Sequence, residues 1–231
     1  LLFVTMSQKL CSECILHTDS EICLRNQGLE SLHNHCSKVK FNPGETIFKE
    51  NAINAGVVYL KSGLVKIHTC TLAKDRILRL TKAPSYLCLP SSLGDSVNRF
   101  TATALEPTEA CFIELATFRQ LIVENGDFAY QIITALSQRE MNNFHVSLNL
   151  GQKQANGRVA DALLYLANDI YENDSFVIPF SRQELGDWIG VTRESISRIL
   201  AEFNATGIIR QEGREISILN KELLEQISEK G

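Results

Sequence analysis

Four side chains between residues 193 and 198 have the chemistry to read a base pair. Arg193 and Arg198 each carry a guanidinium fork that can donate two parallel hydrogen bonds to guanine O6 and N7. Glu194, between them, can accept from cytosine N4 in a major groove. Ser197 adds a small hydroxyl. At about 100° per residue, Arg193, Glu194, Ser197 and Arg198 fall within an arc of roughly 140°, opposite Ile196, Ile199, Leu200 and Phe203. A charged arc on a helix is most often only a solvated face, so the surrounding positions must decide its meaning.

Those positions carry the constraints of a helix-turn-helix. Two helices that cross tightly need a small residue where they touch, and Gly186 supplies one. The short turn between them needs a residue that tolerates positive φ, and Gly190 supplies that. Leu185, Ile189, Val191, Ile196 and Ile199 stand where the pair needs apolar side chains. Ser181 and Thr192 stand where each helix needs an N-cap. Thr192 and Arg182 join the candidate DNA contacts. Downstream, Glu212-Gly213-Arg214 lies between two short apolar-rich runs and predicts a β-hairpin wing that offers Arg210 and Arg214 to phosphates. Residues 181–214 hold five arginines and five acids, and the whole chain has 23 Lys+Arg against 27 Asp+Glu. Affinity must therefore come from placed arginines and two-fold symmetry rather than from a broad cationic surface.

Thiols supply a second chemistry. Cys11 and Cys14 form a C-x2-C pair, Cys23 follows, and Cys36, Cys70, Cys88 and Cys111 make seven. An odd count without an export-type leader argues against a disulfide framework. Zinc bound through Cys14, His17 and Cys23, direct thiol redox switching, and unliganded thiols with the later cysteines as small buried hydrophobes all remain open.

The elements that must position these groups follow from length and pattern. With 44% hydrophobic and 22% charged residues over 231 positions, the composition is that of a soluble globular protein with room for two domains. No apolar run approaches the ~18 residues of a membrane span. Leu1–Thr5 is too short for a signal peptide, with Met6 a candidate natural start, so a cytoplasmic location is expected. Residues 1–23 form a Cys-containing segment, and a short helical candidate follows over 24–35. Residues 24–124 carry short apolar runs separated by turn residues, at 46–48, 57–60, 64–67, 77–80 and 111–113, which predict a β-sandwich or β-roll. Residues 125–155 hold a helix over 127–154, interrupted by neither proline nor any glycine but Gly151. Its apolar positions Phe128, Ile132, Ile133, Leu136, Phe144 and Leu148 suit a homodimer seam. In residues 156–231, Val159, Leu163, Leu166 and Ile170 mark an amphipathic core helix, and 176–178 a strand.

Taken with the phrases Pro43-Gly44-Glu45-Thr46-Ile47-Phe48 and Tyr59-Leu60-Lys61-Ser62-Gly63-Leu64-Val65-Lys66, the recognition helix at 192–200 makes the chain resemble the Crp/Fnr family over about residues 24–220. The resemblance implies an α+β fold: an N-terminal cyclic-nucleotide-binding-type β-roll (a double-stranded jelly roll), a long dimerisation helix and a C-terminal winged helix-turn-helix. It implies a transcription regulator that binds double-stranded DNA as a homodimer and engages RNA polymerase. Glu194 with Ser197-Arg198 looks like the oxygen-sensing Fnr branch, and Arg193-Glu194 with Arg198 like the cyclic-AMP receptor branch. Both read half-sites with a GA step. Where the family holds cyclic AMP with a glutamate and an arginine, this chain has Leu89 and Phe100. The neighbouring Arg99 is expected to point to the other face of its strand. An apolar pocket does not compensate a phosphate charge, so cyclic AMP is not expected as ligand. The Fnr branch also implies an iron–sulfur cluster, with Cys11, Cys14, Cys23 and Cys111 as its ligands. The x8 spacing before Cys23 is longer than the Fnr pattern.

Readings from other classes fit less well. A cupin-like metalloenzyme needs several histidines and a carboxylate around one metal, and the strand-bearing stretch from Lys38 to about Ala116 has only His68. With no nucleophile–base pair or phosphate-binding loop, the chain is read as a non-enzyme. A cyclic-nucleotide-responsive regulator lacks its pocket residues, and a sensor module that does not touch DNA leaves the helix-turn-helix without a purpose.

Overall fold

The computed structural model describes residues 36–54, 56–70, 75–87, 89–95 and 97–231. Cys11, Cys14, His17, Cys23, Cys88 and the helix expected over 24–35 lie outside the described residues. The chain divides into two compact units. One holds the described residues up to Val65 together with Thr81–Met141, and the other holds Lys66–Leu80 with Asn142–Gly231.

The short apolar runs become strands: β1 (Cys36–Phe41), β2 (Thr46–Phe48), β3 (Gly56–Ser62), β4 (Leu64–Cys70), β5 (Asp75–Lys82), β6 (Ser85–Leu87), β7 (Thr101–Ala104) and β8 (Thr108–Glu114). They form two four-stranded sheets, ordered β1-β8-β3-β6 and β2-β7-β4-β5. β8 is antiparallel to both β1 and β3, with Cys111 opposite Lys38 on one side and Tyr59 on the other. Three helices accompany these strands: α1 (Leu89–Gly94), α2 (Leu115–Glu124) and α3 (Gly126–Gln152).

One face of the first sheet meets α2 and the start of α3 in a core of Val57, Tyr59, Tyr86, Cys111, Ile113, Phe118, Leu121, Phe128 and Ile132. Its aromatic rings pack in a chain of tilted and edge-on contacts. Tyr59–Tyr86 centroids lie 5.0 Å apart, and Tyr86–Phe118 and Phe118–Phe128 each 5.5 Å. Each such buried ring contributes roughly 1.5–3 kcal/mol by leaving water. α3 is started by Asn125, whose Oδ1 accepts from the Phe128 N–H at 3.0 Å. Arg139, further along, donates to the Tyr86 carbonyl at 3.0 Å.

The expected long helix is present, and the structure sorts its apolar residues into two sets. Phe128 and Ile132 are buried and Leu136 packs beside them. Ile133, Phe144 and Leu148 are instead exposed, as are Tyr130 and Met141. Tyr130, Met141, Phe144 and Leu148 fall on a heptad-like stripe, with Thr134 and Ser137 filling its remaining positions.

In the second unit α4 (Ala155–Tyr165) buries Val159 and Leu163, and the chain continues through a π-helical turn, Leu166–Ile170, instead of the regular helix expected. The Tyr171 N–H reaches back to the Leu166 carbonyl at 2.9 Å. The wider turn keeps Leu166 and Ile170, four residues apart, on the buried side. Asp161 on α4 is a polar hub. It accepts from Asn149 at 2.8 Å and Lys153 at 2.7 Å, and it pairs with Ser228 of α7 (Lys221–Lys230), which also takes a bond from Lys153 at 3.1 Å. The last turn of α3 is thereby tied to α4 and α7.

Candidate nucleic-acid interface

The helix pair is built as its glycines require. α5 (Arg182–Ile189) ends at Gly190, whose φ of 67° and ψ of 39° place it in the left-handed region, and α6 (Arg193–Ala205) begins three residues later. At Gly186 an added Cβ would lie 2.3 Å from the Val191 carbonyl oxygen, a backbone atom that cannot swing aside. Gly186→Ala should therefore destabilise the unit by about 1–3 kcal/mol, read as a lower urea midpoint with an unchanged slope.

Ser181 caps α5, and Glu184 completes a capping box. The Glu184 N–H donates to Ser181 Oγ at 3.2 Å, and the carboxylate takes the Ser181 N–H at 2.9 Å. The S-x-x-E spacing carried that signal, and the sequence reading uses only the serine. Lys66 pairs with the same carboxylate. Burial pushes the Glu184 carboxyl up, but the hydrogen bonds from Lys66 and Ser181 outweigh it and hold the group below its ordinary range. A depressed carboxyl stabilises the fold above its unfolded value and loses that contribution as pH falls through its lower folded value. The stability gap between wild type and Glu184→Gln should thus be widest near neutrality and close below about pH 4.3, measured by urea unfolding across pH.

Thr192 caps α6, its Oγ1 accepting from the Ser195 N–H at 3.3 Å. Ile196, Ile199, Leu200 and Phe203 are buried on one side, while Thr192, Arg193, Glu194, Ser197 and Arg198 are exposed. Among the described residues the side chains of Arg193, Glu194 and Arg198 make no hydrogen bond or ion pair, so all three are available to a ligand. The wing is present as β10 (Ile209–Glu212) and β11 (Glu215–Ile218), joined through Gly213 at φ 62° and extended by β9 (Ser175–Val177) into a three-stranded sheet. Arg210 and Arg214 are exposed on it. Arg182 stands apart from these. It is half-buried at the first position of α5, with Nη1 enclosed and lacking a hydrogen-bond partner, and burial lowers its basicity.

One positioning residue had no sequence signal. Arg158, on α4, donates from Nη1 to the carbonyls of Ile189 and Gly190 at 3.0 and 2.9 Å. These are the last carbonyls of α5, where a cation is favoured. Trp188 packs between Tyr165 and Phe180, at 5.6 and 5.9 Å.

The remaining predicted residues belong to the first unit. Leu89 is fully buried in the first unit's core. Arg99 precedes β7 in an irregular stretch, so strand parity does not govern it; its exposed guanidinium pairs with Asp95 four residues back. Of the four expected cluster ligands only Cys111 is described; it is buried in β8. Among the described residues no three metal-binding side chains converge, and no helix is long and apolar enough to cross a membrane.

Residues 38–125 match the cyclic nucleotide-binding domain, and residues 157–227 match the Crp-like helix-turn-helix domain. The chain is 26% identical over 222 residues to the transcriptional activator protein FnrA of Stutzerimonas stutzeri, covering 92% of this chain and 90% of that one. It is 25% identical over 227 residues to the fumarate and nitrate reduction regulatory protein of Escherichia coli K12, covering 94% and 90%. Among solved structures, FixK2 of Bradyrhizobium japonicum superposes with a TM-score of 0.75 at 22% identity, over 83% of this chain and 96% of that one. With a β-roll, a long helix and a winged helix-turn-helix in that order, the chain belongs to the Crp/Fnr family of transcription regulators and is not an enzyme.

Proposed function

We propose that this regulator binds double-stranded DNA in the cytoplasm as a homodimer, reading an inverted repeat with one α6 per half-site. The observation that carries the reading is the exposed face of Arg193, Glu194, Ser197 and Arg198 on a helix capped by Thr192 and backed by a buried apolar face. Thr192 and Arg182 contribute from the helix starts, and Arg210 and Arg214 hold phosphates from the wing. The exposed stripe on α3 is the seam that pairs two copies. Residues 24–124 serve as sensor, 125–155 as seam and 156–231 as reading head, and bound DNA is presented to RNA polymerase. Selection from random DNA with the full chain should return an inverted repeat whose half-site centres lie about 34 Å apart. Recovery of sequences without two-fold symmetry would sink the reading.

Control by oxygen or redox state through an iron–sulfur cluster is the second part of the proposal. It is supported by Cys111, a thiol buried in the core that also holds α2 and the start of α3. When bound, such a cluster supplies oxygen-labile iron–thiolate chemistry. The chain's part would be to provide thiolates from Cys111, Cys11, Cys14 and Cys23. Cyclic AMP is not the signal, because Leu89 is turned into the core where the family's pocket needs a carboxylate. Calorimetric titration with cyclic AMP should show no specific heat, and a micromolar dissociation constant would overturn this point.

A further inference from the structure

Cys36 has no role among the four expected cluster ligands, yet the strand register sets it beside the one of them that the structure describes. β1 and β8 run antiparallel, with Cys36 opposite Ile113 and Lys38 opposite Cys111. Residues directly opposite share a face, and so do residues two apart along a strand. Cys36 and Cys111 are therefore diagonal neighbours on one face. Packing agrees: Cys111 belongs to the core of the first unit and Cys36 packs against that same core. Cys111 is 3% exposed, while Cys36 is half-buried on β1, the edge strand of its sheet. The pair thus has a buried end and an end that opens at the sheet's rim.

We propose that Cys36 and Cys111 together form a two-thiolate site for a thiophilic metal, and that Cys36 takes the place of Cys23, whose x8 spacing departs from the Fnr pattern, as one of the four ligands of the cysteine-bound centre. The second half of this rests on the iron–sulfur reading above; the first half does not. Diagonal neighbours across an antiparallel pair stand about 7–8 Å apart at Cα, beyond the ~7 Å limit at which a disulfide closes without backbone movement. Two thiolates on one tetrahedral metal, each bonded at ~2.3 Å, need only bring their sulfurs to about 3.8 Å, which two side chains converging from that spacing can reach. Binding releases one proton from each thiol, with no change of oxidation state. Lys38, directly across from Cys111, brings a positive charge to a site whose ligands are anionic.

The test uses the full chain with Cys11, Cys14 and Cys23 replaced by serine, so that the pair is assayed without them. Cadmium is the probe, and the ultraviolet thiolate-to-cadmium charge-transfer band is the readout. This variant should bind cadmium, and adding Cys36→Ser or Cys111→Ser should weaken binding at least 100-fold. Cys70 and Cys88 remain in every variant, so the difference between variants belongs to the pair. Adding Cys36→Ser with Ser37→Cys keeps the thiol count but moves one sulfur to the opposite face, and it should not restore the band. Thermal unfolding of each variant checks that the fold is intact. Because Cys36 is only half-buried, its serine variant keeps the test valid if Cys111→Ser fails to fold. A cadmium band unchanged by Cys36→Ser, or restored by Ser37→Cys, overturns the proposal. Anaerobic loading of the otherwise native chain with iron and sulfide separates the two readings. Iron content should fall in Cys36→Ser as far as in Cys111→Ser. A native chain that takes up no iron while the cadmium site persists refutes the iron–sulfur reading alone, and one that keeps its full iron in Cys36→Ser refutes Cys36 as a ligand of that centre.

Discussion

Replacing Glu194 by alanine should relax base preference at one position of each half-site, by roughly 1–3 kcal/mol, while leaving non-specific affinity unchanged. The carboxylate is exposed on α6, with no partner among the described residues to be freed by its removal. It is an acceptor facing a polyanion, so it adds nothing to bulk attraction. Its expected value is discrimination, because it can accept from a cytosine N4 amino group, whereas guanine and thymine offer no major-groove donor in its place. We expect that cytosine to be paired with the guanine of a GA step, with Arg198 held on a guanine. A further guanine contact from Arg193 would move the preference from a TTGA-like towards a TGTGA-like half-site. Arg210→Ala on the wing should behave in the opposite way, weakening every sequence alike and lowering the salt slope by about one unit for each phosphate that the arginine neutralises. Binding-site selection repeated with Glu194→Ala is the measurement, and an unchanged base preference would refute this assignment of roles.

Placing glutamates at Phe144 and Leu148 should convert the protein to a monomer and lower its affinity for the full inverted repeat by about 10²–10⁴-fold. Both side chains are more than half exposed, so the substitution costs the isolated chain little. In a parallel pair of α3 helices the four carboxylates would instead meet in an apolar seam, where burial of unpaired charge is costly. Binding weakens because two linked reading heads hold DNA more tightly than one, with no additional bond to either half-site. Sedimentation should show the monomer mass, and affinity for a single half-site should be retained. Val177→Glu, on an exposed position of β9, is the control that should leave the mass unchanged. A double variant that stays dimeric would place the seam elsewhere.

Much of this molecule is legible in its residue pattern. The strands at 46–48, 57–60, 64–67, 77–80 and 111–113 are all present, because short apolar runs bounded by turn residues have few other ways to bury themselves. The helix-turn-helix is the most fully determined part. Gly186, Gly190 and the five apolar positions around them satisfy local steric and burial demands that scarcely depend on distant residues. The exposed face of α6 is legible for the same reason, since a 3.6-residue period assigns every side chain a direction once the buried ones are known.

What the sequence leaves undivided depends on packing between residues far apart in the chain. The apolar positions of α3 look alike by pattern. Only the packing of Phe128 and Ile132 against Phe118 and the first sheet separates them from the exposed Ile133, Phe144 and Leu148. Arg158 has no local motif, and it becomes a positioning residue only because α4 brings it to the carbonyls of Ile189 and Gly190, 31 and 32 residues away. Arg99 departs from the strand parity expected of it because an ion pair with Asp95, in an irregular stretch, sets its direction. Cys36 and Cys111, 75 positions apart in sequence, become neighbours only through the register of β1 on β8. Periodicity and turn chemistry are properties of a short window, so the sequence alone marked the β-roll strands, the long helix and the helix-turn-helix. Register and helix facing are set by which surfaces bury each other, and that is decided only when the chain has closed on itself.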